Sequence, residues 1–119
     1  AIANADNEFA RERARRALAL RSKLGVGPVF NLPIYFWRLG QSVFIGAPVE
    51  FYSDFQIALR REFPDLTILV LDVCNGFLNY LPPKDEFARK TYPVRISLFR
   101  AGSLELVYER VVKLIKESL

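Results

Sequence analysis

Leu66-Thr67-Ile68-Leu69-Val70-Leu71-Asp72-Val73 is the stretch that decides the predicted fold. It is apolar on both faces apart from Thr67 and Asp72, a pattern typical of a central parallel strand covered on both sides. Before it come a predicted strand, Ser42 to Ala47, and a predicted helix, Ser53 to about Phe63. A strand, a helix and a second strand in this order predict a right-handed parallel βαβ unit. The loops after both strands then leave from one edge of the sheet, where ligands bind in such folds.

The segments on either side extend this unit into an α/β domain. Val29 to Arg38 alternates in polarity, and with the strand Ser42 to Ala47 it predicts a β-hairpin. Further elements are predicted as helices at 7–24, 85–90 and from Gly102-Ser103 onward, and as a strand at 94–99. The predicted fold is a mixed sheet of about four strands with strand 66–73 in the middle, an antiparallel edge hairpin and helices on both faces. Ser53-Asp54-Phe55-Gln56 has the form of a capping box at the start of its helix.

Length and composition limit the classes of protein to consider. The 119 residues, 51% of them hydrophobic, suffice for one domain with a real core. No apolar run approaches the roughly 20 residues of a membrane helix. The absence of histidine excludes a self-contained Ser-His-Asp triad and a histidine-based zinc site within these residues. The polar start at Ala1, without a Met, suggests that the chain is a processed or excised part of a longer one.

The positive charge of the chain is concentrated near its beginning. The net charge is +4, and residues 1–24 hold six Lys or Arg against three acidic residues. A nucleic-acid binder more often carries its excess charge along a groove or a sheet face. We therefore interpret this segment as a solvated helix face and expect no nucleic-acid partner. Binding of DNA or RNA remains a weaker alternative, which would require a steep dependence of affinity on salt.

Four positions near the predicted sheet edge are candidates for function, and each also has an ordinary structural explanation. Glu50 precedes the predicted helix and is either a surface carboxylate near the helix dipole or a metal ligand or general base. Asn75-Gly76 follows the buried strand and is either a plain turn or part of a site. Tyr80 and Tyr92 either pack on the core or serve as a metal ligand and an oxyanion hydrogen-bond donor. Spacing alone does not decide between these roles.

An ordered set of motifs resembles the C-terminal part of the neutral/alkaline ceramidase-like hydrolases. The resemblance covers about Trp37 to Gly102 and depends on order and spacing, since no single motif is specific. The matching segments are Pro48-Val49-Glu50, Arg60-Arg61, the run from Leu69 to Tyr80 with its Cys74-Asn75-Gly76, Glu86-Phe87 and Thr91-Tyr92. Val49 stands where the family usually has Gly, and Phe51-Tyr52-Ser53 replaces a common Thr-Thr, which leaves the detailed substrate open.

The resemblance implies a set of roles for this chain. Family members are similar to zinc amidases that cleave the N-acyl bond of ceramide, with two zinc-binding histidines in their N-terminal part. By this resemblance, Glu50 and Tyr80 would be the remaining zinc ligands and Tyr92 would hydrogen-bond the scissile carbonyl. Asn75, together with Gly76, would open the loop that carries the tyrosine.

Two functional hypotheses follow. The first is the C-terminal part of a ceramidase-like, metal-dependent amidohydrolase, which supplies half of a zinc site and needs the N-terminal part of the parent chain and a lipid amide substrate. Two oxygen ligands are too few for the usual four-coordinate zinc, so the chain alone is predicted to be inactive. The alternative is a non-catalytic α/β binding or interaction module with the same fold.

Overall fold

The structure is a computed structural model that describes residues 7–119. The described residues divide into two compact units, 7–31 and 32–119. The first unit contains α1 (Glu8–Lys23), as predicted. Its N-terminus is capped by Asn7, whose side-chain oxygen accepts the backbone N–H of Ala10 at 2.7 Å. Residues 1–6, which prompted the prediction of a processed start, lie outside the described residues. No helix among residues 7–119 has the length and apolarity needed to cross a membrane.

The second unit has the predicted α/β architecture. In chain order its elements are β1 (Tyr35–Leu39), β2 (Ser42–Gly46), β3 (Glu50–Phe51), α2 (Ser53–Glu62), β4 (Thr67–Leu71), β5 (Tyr80–Leu81), a 3₁₀ helix (Lys84–Arg89), α3 (Tyr92–Ile96) and α4 (Ser103–Ser118). The 3₁₀ helix coincides with the short helix predicted at 85–90. The α/β class, the mixed sheet and the terminal helix are therefore confirmed.

Two sheets are present in the second unit. The larger one has the order β1-β2-β4, with β1 antiparallel and β4 parallel to β2. The hairpin is therefore confirmed at one edge, and β2, α2 and β4 form the parallel βαβ unit. The smaller sheet is the parallel pair of β3 and β5, two residues each. The five strands thus form a sheet of three and a pair, where a single sheet of about four was predicted.

The core lies on one face of the larger sheet. Val43, Ile45 and Ile68 on that face are fully buried, as are Leu59 of α2 and Val111 of α4. The packing of α2 against β4 and against α4 closes this layer. Within the second unit, the predicted helical cover is thus observed on this face.

The predicted central position of strand 66–73 is wrong. The middle strand is β2, and β4 lies at an edge with Leu69 half-buried and Leu71 38% exposed. Among the described residues no strand pairs with the outer edge of β4. An apolar run indicates that a strand is buried, but it does not predict whether the strand pairs with one neighbouring strand or with two.

The predicted strand at 94–99 is also wrong, because Tyr92–Ile96 forms α3. Pro93 lies in the first turn of this helix, where its fixed φ is favourable and its missing N–H costs nothing. A short apolar run does not by itself distinguish a strand from a buried helix.

The capping box predicted at the start of α2 does not form. Tyr52 occupies the N-cap position without a side-chain cap hydrogen bond, and Ser53 is already helical. The Gln56 side chain instead accepts the backbone N–H of Val70 on β4 at 2.9 Å. The Gln56 side chain thus binds the strand β4, although the capping-box motif predicts that it binds the N-terminus of its own helix.

Candidate functional site

The parallel pair of β3 and β5 places Glu50 beside Tyr80. The two residues are register partners, and so are Phe51 and Leu81. The Glu50 N–H also donates to the carbonyl of Asn79 at 3.1 Å. Paired residues on neighbouring strands lie about 4.8 Å apart and point to the same face. A carboxylate and a phenol separated by 30 positions in sequence therefore share one surface.

The loop between β4 and β5 is fixed against the segment that enters β3. Three backbone hydrogen bonds of 2.7–2.9 Å join the two stretches: Cys74 N–H to Ala47 O, Val73 N–H to Val49 O and Leu78 N–H to Pro48 O. This network sets the register of the short β3–β5 pair, which is too small to specify its own alignment.

Asn75 and Gly76 form the tight turn of this loop. Both have positive φ, 55° at Asn75 and 155° at Gly76. A Cβ at Gly76 would lie 3.2 Å from the Cβ of Pro48, so the turn and the close approach both favour glycine. The structure thus places the dipeptide as support for the strand that carries Tyr80.

Tyr92 reaches the same place by way of α3. Its ring centroid lies 6.4 Å from that of Tyr80 in an edge-on arrangement, and the residue is 65% exposed. The end of α3 is tied to β5, since the Asn79 side chain donates to Ile96 O at 3.0 Å and the Ser97 hydroxyl donates to Tyr80 O at 2.9 Å. The structure therefore brings Glu50, Tyr80 and Tyr92 together at one site.

The Glu50 carboxylate changes the acidity of Tyr80. Acting as a hydrogen-bond acceptor, it raises the pKa of the Tyr80 hydroxyl, and desolvation and the charge of Glu50 raise it further. A phenolate beside a carboxylate is unfavourable because the two negative charges repel. Glu50 thus favours the neutral form of the Tyr80 hydroxyl over the phenolate.

This coupling predicts a change in the titration of Tyr80. Glu50→Gln should lower the pKa of Tyr80, because the negative acceptor beside the hydroxyl is lost. The ultraviolet absorbance of phenolate, followed against pH and corrected with the Tyr80→Phe variant, isolates this residue from the other tyrosines. Glu109→Gln, on the exposed face of α4, is the matched control. An unchanged titration of Tyr80 in Glu50→Gln would contradict the contact.

Asp72 is a member of the site that the sequence reasoning passed over. Its side chain accepts the Phe51 N–H at 3.0 Å and so anchors the strand residue next to Glu50. Partial burial raises the pKa of Asp72, the hydrogen bond from Phe51 opposes this, and the charge of Glu50 raises it again. The signal was available, since an aspartate closes an otherwise apolar strand at the edge where ligands bind.

A shallow depression adjoins the anchor at Asp72. It has a volume of about 90 Å³ and lies between the end of β4 and the start of α2. Its lining comprises Phe51, Tyr52, Ser53, Gln56, Val70 and Asp72. Glu50, Tyr80 and Tyr92 are outside this lining; Glu50 and Tyr80 are half-buried and Tyr92 is exposed.

The donor atoms of the cluster match part of a metal site. A carboxylate and a phenol lie side by side, and a bound cation would favour the phenolate by offsetting the negative charge of Glu50 beside it. Within residues 7–119, no group of three His, Cys, Asp or Glu side chains is placed to hold a metal ion. The two oxygen donors, Glu50 and Tyr80, are fewer than the four ligands of the usual zinc site.

Comparisons of the chain with protein-family models, with curated proteins and with solved structures found no match.

Proposed function

We propose that this chain is the C-terminal part of a ceramidase-like, metal-dependent amidohydrolase and that Glu50 and Tyr80 supply half of its zinc site. The observation that carries the proposal is the parallel register of Glu50 with Tyr80, which places a carboxylate and a phenol side by side on neighbouring strands. The second tyrosine, Tyr92, stands beside them at 6.4 Å between ring centroids. These are the same three residues to which the resemblance assigns roles in zinc binding and carbonyl recognition.

Each residue then has a distinct task in hydrolysis of an N-acyl amide. The Glu50 carboxylate and the Tyr80 oxygen would hold the metal, together with ligands from the N-terminal part of the parent chain. When bound, zinc supplies a Lewis acid that polarises the amide carbonyl and activates water. The exposed Tyr92 hydroxyl would donate a hydrogen bond to the carbonyl oxygen as negative charge develops on it.

The surrounding contacts supply the rigidity that this chemistry requires. Asp72 accepts a hydrogen bond from the Phe51 N–H, and two further hydrogen bonds hold the chain at Asn79 and at the carbonyl of Tyr80. Catalytic groups need to be held in place by their neighbours, because small displacements cost much of the rate. The position of the site on a fixed strand pair therefore supports a role in catalysis over a role in a loose surface contact.

The complete open reading frame that encodes this chain provides the test. We expect the full product to hydrolyse a fluorescent ceramide or a simpler N-acyl amide, and to lose activity reversibly when zinc is chelated. Residues 1–119 alone should be inactive and should take up zinc weakly in calorimetry at neutral pH, because two ligands are too few.

Two results would contradict the proposal. A full product without amidase activity that still carries the intact cluster would favour the non-catalytic binding module. Tight, stoichiometric binding of zinc by residues 1–119 would contradict the half-site, since it would require a complete set of ligands within this chain.

A further inference from the structure

The outer edge of β4 carries backbone groups that an added strand would use. In the parallel ladder with β2, the Thr67 N–H points toward β2 and donates to Gln41 O at 2.9 Å. Because successive residues of a strand direct their backbone groups to alternate sides, the groups of Ile68 and Val70 point away from β2. An incoming strand would bond to the N–H and carbonyl groups of these two residues, among them the Ile68 carbonyl and the Val70 N–H.

Two of these groups, the Ile68 carbonyl and the Val70 N–H, are already occupied by side chains of α2. Arg60 donates to the Ile68 carbonyl from Nε at 3.0 Å and from Nη2 at 2.9 Å. Gln56 accepts the Val70 N–H at 2.9 Å. The two side chains are four residues apart and so lie on one face of the helix. One donor and one acceptor thus take the places that a neighbouring strand would fill.

The sequence of β4 shows why the edge needs this protection. The stretch Leu66-Thr67-Ile68-Leu69-Val70-Leu71 has no charge, no proline and no glycine. Six-residue segments of this composition pair with their own copies when an edge is free. Charged or proline residues within the strand usually prevent this, and β4 has neither. Its protection therefore comes from the adjacent helix.

We propose that Gln56 and Arg60 close the edge of β4 against strand addition, and that a second copy of this chain pairs with β4 when both side chains are removed. The protected edge keeps the uncharged strand from self-association while α2 stays packed on the sheet. This inference does not depend on the proposed enzymatic role, since it uses only the contacts between α2 and β4.

The test compares self-association of the wild-type chain with that of the Gln56→Ala/Arg60→Ala variant by sedimentation equilibrium over a range of concentrations. We expect the variant to associate more tightly by about tenfold or more, because each freed backbone group gains a hydrogen bond in the complex. Arg61→Ala, which removes the same charge from the next position of α2, should behave like the wild type.

A third variant shows whether the association uses this edge. Adding Val70→Pro to the double variant removes the outward N–H without removing a bond to β2, so the association should be lost. A folded double variant that sediments like the wild type at every concentration would overturn the proposal. So would association that persists after Val70→Pro.

Hydrogen exchange of the Val70 amide provides a measurement that does not require the double variant to fold. The amide should be protected in the wild-type chain and in Gln56→Glu, which keeps an acceptor oxygen, and should exchange faster in Gln56→Ala. Equal exchange in Gln56→Ala and the wild type would show that Gln56 does not guard the edge, and the proposal would fail.

Discussion

Replacing Tyr92 by Phe in the full-length product should lower kcat for amide hydrolysis by about 10²- to 10³-fold, the loss typical of one donor to a developing oxyanion. The ring keeps its edge-on contact with Tyr80, so the variant removes a hydroxyl and little else. Glu50→Gln and Tyr80→Phe should each lower activity at least as much, because the proposed function makes these two residues ligands of the metal.

Zinc content distinguishes the two kinds of role. Purified Glu50→Gln and Tyr80→Phe should retain less zinc than the wild-type product, while Tyr92→Phe should retain a full complement. Tyr35→Phe, on β1 of the larger sheet, and Glu109→Gln are the matched controls and should leave both activity and zinc unchanged. Full activity in Tyr92→Phe would contradict its role as a hydrogen-bond donor to the carbonyl. Full zinc content in both Glu50→Gln and Tyr80→Phe would contradict their role as zinc ligands.

Leu59→Ala should lower the free energy of unfolding of the chain by about 2–5 kcal/mol, the range for a leucine truncated in a packed core. Leu59 is fully buried on α2, and α2 packs directly on β4. Chemical denaturation followed by circular dichroism measures the change. The loss combines the transfer of the removed methyl groups with the cavity left between helix and sheet.

Leu71→Ala is the informative comparison for this prediction. The hydrophobic pattern alone would assign Leu71 the same cost, because it lies in the most apolar run of the chain. The structure leaves it 38% exposed at the end of an edge strand, so its truncation should cost less than half as much as that of Leu59. Equal losses at the two positions would contradict the edge placement of β4.

The cluster of candidate residues shows how far the sequence and the fold each contribute. The strand–helix–strand order predicted that the chain after β2 and the chain after β4 would leave from the same edge of the sheet. It did not predict that these exits would form a second small sheet in which Glu50 and Tyr80 are register partners. That alignment depends on backbone hydrogen bonds between residues about 25–30 positions apart, which leave no local pattern in the sequence.

The sequence by itself determined the α/β class, the hairpin, the parallel βαβ unit and the helices α1, α2 and α4, because hydrophobic periodicity and turn residues are local signals. Only the tertiary structure decided that β4 is an edge strand and that residues 92–96 are helical. It also decided that the Gln56 side chain accepts a hydrogen bond from β4 instead of from the N-terminus of its own helix. It also decided that Asp72 anchors the residue next to Glu50. Each of these features depends on contacts with residues that are distant in sequence. A short segment can form favourable contacts with more than one such partner, so its own sequence does not determine which one it meets.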